Sequence, residues 1–600
     1  MAKPETALPP ARTPNWQARM QPPAKPKDLR GTLTRLWQLV RPQTRGLGWV
    51  FLLSVLSCVA AMATPKLVGS VINAINTSTP FTGLLLVLCG LYLGDWLVKF
   101  LSGYWMAGLS QRMTLRIRTA LFDHITTLPL RFFDTHPQGD LMSRLTNDID
   151  NISTTLCDSL TQLFVLVITI VGVLSLMLST NLLLTAVALI SAPLVYFLTK
   201  IITKHTRALF RSQQSLLGQL NGTIEEGVWG LETVLAFGRE GAMIERFSKA
   251  NDDLRRVATR AQVWSGYLMP LMNVINNLCF IAVAVTGGLL SVRQGMDVGT
   301  ITTFLLYARQ LTRPLNDIAA LYNGLLTAVA GAERVFEIMD EAPEPTDAPD
   351  AVPLPLPLRG EIVFENVTFG YLPGKPVLRG LSLTIPAGAK VALVGATGAG
   401  KTTVINLLPR LYDIQGGRIL LDGRDITTLP IVQLRSLFGI VLQDPSLFDM
   451  TVAQNLRYGS PDADDEQLHQ AAEAALADAV IRRLPGGYDA RVSAGATRFS
   501  QGERQLLTIA RAMLTDAPIM IFDEATSNVD TRTERAIQAA MHNLTRNRTS
   551  VFIAHRLFTI RDCDIIFVLS NGTLAESGTH EELMAKKGLY ASMNHSTTGA

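Results

Sequence analysis

Six stretches of the chain stay apolar for about 20 residues, the length a helix needs to cross a hydrocarbon layer of about 30 Å. They lie near 47–67, 84–104, 159–179, 182–198, 263–292 and 300–326. The third and fifth contain no charged residue, which favours lipid contact over burial in a soluble core. The sixth carries Arg309, Arg313 and Asp317, each costly in lipid unless it faces protein or water. Lys and Arg crowd the tail before the first stretch and the segments 112–144 and 200–260, whereas 73–83 and 179–181 have none. By the positive-inside bias the crowded segments and both termini are cytoplasmic. The two basic loops carry helix-like patterns of their own, so the membrane helices are expected to continue into the cytoplasm.

After Asp340 the run DEAPEPTDAPDAVPLPLPL can neither continue a helix nor sit in a central strand, and reads as a linker. From Gly360 onward short β-branched runs (VALVG, IMIFD, SVFIA) alternate with amphipathic segments, the pattern of an α/β nucleotide-binding domain. The expected fold is therefore multi-domain: an all-α six-helix transmembrane domain followed by an α/β P-loop domain. Its expected parts are a cytoplasmic tail (1–46), the membrane domain (47–338), a linker (339–358), the nucleotide domain (359–593) and a short tail (594–600).

Composition agrees with this division. Of the 600 residues, 48% are hydrophobic and only 17% charged, against about 25% in soluble domains. The net charge of +4 gives no concentrated basic face, which excludes a nucleic-acid partner. Cys58, Cys89, Cys157, Cys279 and Cys563 have no metal-ligand or redox spacing and read as free thiols. The Pro-rich, basic first 46 residues lack the apolar core of a secretory signal.

The segment GATGAGKT, Gly395 to Thr402, follows one β-branched run and precedes an apolar-periodic segment, the strand-loop-helix setting of a phosphate-binding loop. Its glycines let backbone N–H groups turn toward phosphates at a helix N-terminus. Gly395, Ala396, Thr397, Gly398, Ala399, Gly400, Lys401, Thr402 and Thr403 are the expected ATP contacts, with Lys401 on the β and γ phosphates and the Thr402 hydroxyl on Mg²⁺. The apolar run 519–522 ends in Asp523-Glu524, two carboxylates suited to hold Mg²⁺ through water and to polarise an attacking water.

In this order, from Tyr371 to His555, the motifs resemble the ATP-binding-cassette (ABC) domain. The resemblance implies that Tyr371 stacks on adenine, the alternative being a core tyrosine at a strand end. It makes Gln443 the glutamine that touches Mg²⁺ and the water, Asp530 part of the D-loop and His555 the switch histidine. Ser500, Gln501, Gly502 and Glu503 become the signature that contacts ATP held by a second subunit. Catalysis would rest on Glu524, His555 and Gln443, and the metal on Thr402, Gln443 and Asp523. ATP and Mg²⁺ are the implied cofactors, and a dimer is implied because the signature acts across an interface.

In the membrane half, RFFDTHPQGDLMSRLTND (131–148) resembles the first cytoplasmic loop of the exporter branch of this family. Glu225 to Glu240 and Ala332 to Phe336 are weaker echoes. The resemblance spans about residues 30 to 590 and implies an ATPase that exports drugs or other amphipathic small molecules from the bacterial inner membrane. Asn273, Asn276 and Asn277, with Arg309, Gln310, Arg313, Asn316 and Asp317, either line a substrate cavity or hydrogen-bond helix to helix. Against the usual LSGGQ the signature reads FSQGE, while Lys401, Asp523, Glu524 and His555 are all present. This resembles the consensus-bearing half of a heterodimeric multidrug exporter, with a homodimer as the alternative. Other readings are a lipid flippase, a peptide or siderophore transporter, and an ATP-gated channel or regulator. No peptidase-like segment precedes the first span, and intact hydrolytic groups count against a pure sensor.

Overall fold

The computed structural model describes residues 28–345, 347, 351–492, 499–523, 531–553 and 560–598, with the backbone alone at 312–320, 322–323 and a few further positions. Two units divide the chain: residues 28–128 with 136–342, and residues 129–135 with the described chain from 343 onward.

The first unit is helical. It comprises α1 (Leu29–Val40), α2 (Thr44–Asn76), α3 (Thr82–Ile125), then α5 (Gln138–Ser143), a wider π turn (Arg144–Asp148), α6 (Ile149–Thr180), α7 (Leu182–Leu189), α8 (Ser191–Trp229), α9 (Leu231–Ala236), α10 (Glu240–Gly266), α11 (Leu268–Gln294) and α12 (Val298–Met339). The intervening α4 (Leu130–Thr135) belongs to the second unit. Among the described residues five helical stretches are long and apolar enough to cross a membrane: 41–76, 82–125, 161–180, 182–229 and 240–294. The sixth expected span lies in the 42-residue α12, which is not among these five. Helices of 32 to 44 residues are longer than a bilayer requires, as the helix-like patterns of the basic loops predict.

Proline explains the interruptions. Helix α7 gives way to α8 at Ile190, three residues before Pro193, and α10 gives way to α11 at Tyr267, three before Pro270. A proline has no N–H for the carbonyl four residues back, here Leu189 and Gly266, and the helix breaks there. Pro65 lies inside α2 and frees the Ala61 carbonyl, which accepts instead from Gln310 Nε2 of α12 at 3.4 Å. The Met62 carbonyl accepts from the Tyr307 hydroxyl at 2.9 Å, and the Pro65 carbonyl from Thr303 Oγ1 at 3.2 Å. Lipid supplies no hydrophobic drive between helices, so such bonds, worth about 0.6 kcal/mol each, and close packing hold them together. Gly69 and Gly299 provide the close packing: a Cβ on Gly299 would lie 2.0 Å from the Gly69 carbonyl oxygen.

Two ion pairs fix the C-terminal end of α12. Arg334 donates from Nε and Nη2 to the two Asp148 oxygens at 2.8 and 2.6 Å, and Asp148 is 6% exposed. The hydrogen bonds to Asp148 raise the Arg334 pKa above its usual value. Arg35 of α1 donates to both Asp340 oxygens at 2.6 and 2.7 Å, its guanidinium 4.3 Å from the Phe336 ring centroid.

In the second unit a six-stranded sheet runs in the order β10-β9-β3-β8-β7-β6: β3 (Lys390–Val394), β6 (Phe438–Val441), β7 (Ile519–Asp523), β8 (Thr549–Ile553), β9 (Ile565–Ser570) and β10 (Thr573–Gly578). All pairings except β9 with β10 are parallel. Strands covered on both faces need unbroken apolar runs, and β3, β7 and β8 are buried along almost their whole length. An antiparallel sheet, β2-β1-β4-β5, joins β1 (Ile362–Phe369), β2 (Leu378–Ile385), β4 (Gly416–Leu421) and β5 (Arg424–Asp425). Helices α13 (Lys401–Leu407), α14 (Ile431–Ser436), α15 (Val452–Leu456), α16 (Asp465–Ala474), α17 (Asp478–Arg482), α18 (Gln501–Leu514), α19 (Thr531–Leu544), α20 (His580–Lys586) and α21 (Leu589–Thr598) complete it.

Beyond residue 342 the Pro-rich segment read as a linker is fastened to this unit at several described positions. Leu354 is buried and exchanges two hydrogen bonds with the Gln433 amide, Asp347 accepts from the Ile431 N–H at 2.7 Å, and Glu344 takes both Arg435 nitrogens. Prolines cannot donate to a sheet, so side-chain bonds do the fastening. Among the described residues Cys58, Cys89, Cys279 and Cys563 form no disulfide, and burial pushes the Cys563 thiol up to about 12.

Candidate functional site

Strand β3 ends at Val394 and the chain turns through Gly395, Gly398 and Gly400, with φ of 156°, 84° and 103°, into α13. Only glycine takes such angles without strain. A Cβ on Gly398 would meet nothing, so space opposite the loop is open, as a bound phosphate requires. Lys401 is 7% exposed and its Nζ donates to the Gly395 and Ala396 carbonyls at 2.7 and 3.1 Å, which folds the ammonium back over the loop. Ala396 and Thr397 are exposed, Ala399 is buried and its N–H closes a turn on the Ala396 carbonyl. Thr402 is exposed on the first turn of α13, while Thr403 is buried and its hydroxyl lies 3.2 Å from the Tyr371 hydroxyl.

Tyr371 is half-buried. Its ring meets Phe369 and Tyr412 edge-on, at 5.0 and 5.2 Å between centroids. Register carries Asp523 to the same end of the sheet: Leu393 of β3 pairs with Ile553 of β8, which pairs with Asp523 of β7. Two strand spacings put Asp523 about 10 Å from the end of β3. Gln443 is exposed just past β6, the neighbour of β7. The carboxyl ends of parallel strands are where α/β sheets bind ligands. Glu524, Asp530 and His555 lie outside the described residues, as does most of the segment before Phe499.

Hydroxyl, amide and carboxylate oxygens at Thr402, Gln443 and Asp523 are the hard donors that Mg²⁺ takes. Among the described residues no three His, Cys, Asp or Glu gather to hold a metal, so a cation here would rely on these and on phosphate oxygens.

The signature begins α18 by a reciprocal cap. The Glu503 N–H donates to Ser500 Oγ at 3.3 Å, and the Ser500 N–H donates to Glu503 Oε2 at 3.0 Å. Phe499 and Gly502 are buried and Gln501 is half-buried. Arg483 lies 3.9 Å from Glu503.

A cavity of about 1160 Å³ opens among α2, α3, α6, α11 and α12 of the first unit. Asn276, Arg309 and Gln310 line it, as expected; Asn273 and Asn277 are exposed and are not among its described lining residues. The three positions share about 100° of the α11 surface, so the cavity meets only one edge of that face. The side chains of Arg313, Asn316 and Asp317 lie outside the described set. The sequence reading missed Asp95 and Lys99, which are paired at 2.7 Å, with Ser57 donating to Asp95 at 2.6 Å. Their signal was present: two opposite charges four residues apart inside the second span.

Comparison with known proteins agrees with both units. Residues 47–315 match the family model described as ABC transporter transmembrane region, and residues 378–527 match the one described as ABC transporter. The chain is 44% identical over 576 residues to the uncharacterized ABC transporter ATP-binding protein YfiC of Bacillus subtilis, covering 96% of this chain and 95% of that one. It is 45% identical to a fatty acid ABC transporter ATP-binding/permease protein of Mycobacterium bovis, over 80% of this chain and 76% of that one. A solved bacterial Atm1-family ABC exporter with ATP bound superposes with a TM-score of 0.73 at 30% identity, covering 92% of this chain and 98% of that one. A membrane-spanning helical domain and an ATP-binding α/β domain on one chain, alike over nearly their full length to such proteins, make this a member of the ABC exporter family, a multi-pass membrane ATPase that couples ATP hydrolysis to transport.

Proposed function

We propose that the chain is one half of a dimeric exporter that moves amphipathic small molecules, drugs among them, outward across the bacterial inner membrane, with both termini and the nucleotide domain in the cytoplasm. The observation that carries this reading is the joint presence of an open phosphate loop with a buried Lys401 and a lined cavity among membrane helices. In it the loop from Gly395 to Thr403 takes the phosphates of ATP, and Tyr371 offers its ring to the base. Mg²⁺ at Thr402, Gln443 and Asp523 supplies charge neutralisation when bound. Glu524 accepts the proton of the attacking water and His555 holds the γ-phosphate side of the site. Ser500 to Glu503 and Asp530 meet the nucleotide of the opposite subunit, so ATP stabilises the closed pair and hydrolysis releases it.

The partner in this reading is a different half-transporter. Its support is Glu503: a carboxylate capping α18 occupies the helix end that would otherwise attract a γ-phosphate, which suits a site that hydrolyses little. A lipid or fatty acid as solute is the second reading, favoured by the name of the mycobacterial relative. The test is ATP-dependent uptake into inverted vesicles containing this chain, with and without its candidate partner, using Glu524→Gln as control. Uptake that needs the partner and is abolished by Glu524→Gln is expected. Uptake by this chain alone overturns the heterodimer, and no uptake of any amphiphile overturns the exporter reading.

A further inference from the structure

The cavity wall carries unsatisfied chemistry at three points. Gln310 gives its Nε2 at 3.4 Å to the carbonyl that Pro65 frees on Ala61, which engages the amide's donor and leaves its Oε1 as the remaining acceptor. That Oε1 is buried without a hydrogen-bond partner, and so is Asn276 Oδ1 across the same cavity. A buried acceptor left unpaired costs about 1–3 kcal/mol, so two in one wall are an unusual expense. The third point is charge. Asp95 neutralises Lys99, whereas among the described residues no carboxylate pairs with the exposed Arg309. A cation at membrane depth costs about 2.5–3.5 kcal/mol and is normally matched by a counter-charge. The rest of the wall is suited to a chain of methylenes, with Val68, Val165, Leu166, Leu306 and Leu321.

We propose that this cavity binds the head of an amphiphile that bears one negative charge, taken by Arg309, and a neighbouring hydroxyl or amide N–H, donated to Asn276 Oδ1 and Gln310 Oε1. The inference rests on the exporter reading above and names its solute class: a long-chain carboxylate or phosphate ester with a hydrogen-bond donor near the charge. The guanidinium supplies directed donors to an oxyanion, and the two amide oxygens accept from a group that a plain hydrocarbon tail lacks. Terminal amide torsions are soft, so a small rotation brings either oxygen to the cavity face. A cationic amphiphile, by contrast, would meet Arg309 with like charge.

The experiment is equilibrium binding, without ATP, to the transporter as it assembles in the membrane, reconstituted in zwitterionic nanodiscs. The probes are four ligands of equal chain length: palmitate, 3-hydroxypalmitate, hexadecanol and hexadecyltrimethylammonium. Expected is binding of the two acids at least about tenfold tighter than the alcohol or the amine. The hydroxy acid should lead the plain acid by a few-fold. Arg309→Gln should erase the preference for acids and Arg309→Lys should keep most of it, whereas Asn276→Leu with Gln310→Met should erase only the hydroxyl preference. Lysophosphatidate tells the two sources apart: displacement of the hydroxy acid at lower concentration assigns a lipid headgroup, and weaker displacement assigns a free acid. Equal or tighter binding of the amine or alcohol to the unsubstituted protein overturns the proposal without any variant. Because no transport is measured, acid binding without vesicle uptake would sink only the exporter reading. Uptake of neutral or cationic solutes with no preference for acids would sink only this one.

Discussion

Arg334 grips Asp148 with two nitrogens at 2.8 and 2.6 Å, joining residues 186 positions apart in two separate motif-like segments: Asp148 ends 131–148 and Arg334 is the middle of 332–336. The same guanidinium-rich cluster includes Arg144, which donates to Asp140 at 2.9 Å and to the Arg334 carbonyl at 2.9 Å. The start of α6 and the end of α12 are thereby locked together. Removing Arg334 leaves a carboxylate that is 6% exposed without its cation. Loss of one partner of a buried pair costs about 3–5 kcal/mol, and partial exposure of Arg334 brings the expected value nearer about 2. Arg334→Ala should lower the unfolding midpoint in detergent clearly, and Arg334→Gln with Asp148→Asn should recover part of the loss. An additive double variant would mean that the pair contributes no coupling.

Arg35 holds the Asp340 carboxyl below the usual carboxylate range, first by hydrogen bonding and then by charge. A depressed folded-state pKa gives stability that is complete above the unfolded value, about 3.9, and is lost as pH falls through the lowered one. The docking of α1 on α12 should therefore be constant between pH 6 and 8 and weaken below about pH 4. Asp340 is more than half exposed, so solvent limits the effect to under about 1 kcal/mol. Hydrogen exchange of the α1 amides, corrected for intrinsic rates, is the measurement. Asp340→Asn should show fast exchange at neutral pH and no further acid-dependent loss.

Where α2 crosses α12, Gly69 and Gly299 let the backbones touch, and a Cβ on either would sit within 2.4 Å of the other's carbonyl oxygen. A backbone oxygen cannot swing away as a side chain can. Gly299→Ala should cost about 1–3 kcal/mol from overpacking. Gly103→Ala in α3, where a Cβ meets nothing, should be neutral or stabilising because alanine is the better helix former. Thermal melts of the two variants in one detergent separate the outcomes, and equal melts would remove the tight crossing.

The architecture was legible because its signals are local. A run of 20 apolar residues, a strand followed by GATGAGKT, and a strand ending in Asp523 each lie within one window of sequence, and the helices and strands stand there in the structure. Longer-range relations were not legible. Asp148 and Arg334 look like two more charges on cytoplasmic segments until the fold pairs them. The rotation of α11 that turns Asn276 into the cavity and leaves Asn273 and Asn277 out depends on neighbours the sequence does not name. Tyr371 fitted both a base-stacking role and a core position. Its edge-on contacts and its proximity to Thr403 give it packing neighbours, a matter of contact that residue type alone does not decide.

Glu503 links the local cap to the behaviour of the assembled dimer. Its carboxylate accepts from the Ser500 N–H and lies in the first turn of α18, where a negative charge stabilises the helix by about 0.3–1 kcal/mol. The charge that helps the helix repels a phosphate brought to the same end. Gln serves equally in a reciprocal cap, so Glu503→Gln keeps the bond to Ser500 and removes only the charge. In the proposed dimer this variant should bind ATP several-fold more tightly at the site its signature completes, with a slight loss of thermal stability. Nucleotide trapping in the assembled transporter reads the first effect and a melt reads the second. Ser500→Ala breaks the other half of the cap, and should cost about 1 kcal/mol without any gain in nucleotide affinity. Unchanged trapping in Glu503→Gln, with the helix intact, would place the γ-phosphate away from this helix end and remove the basis for reading the signature as the weaker half of a heterodimer.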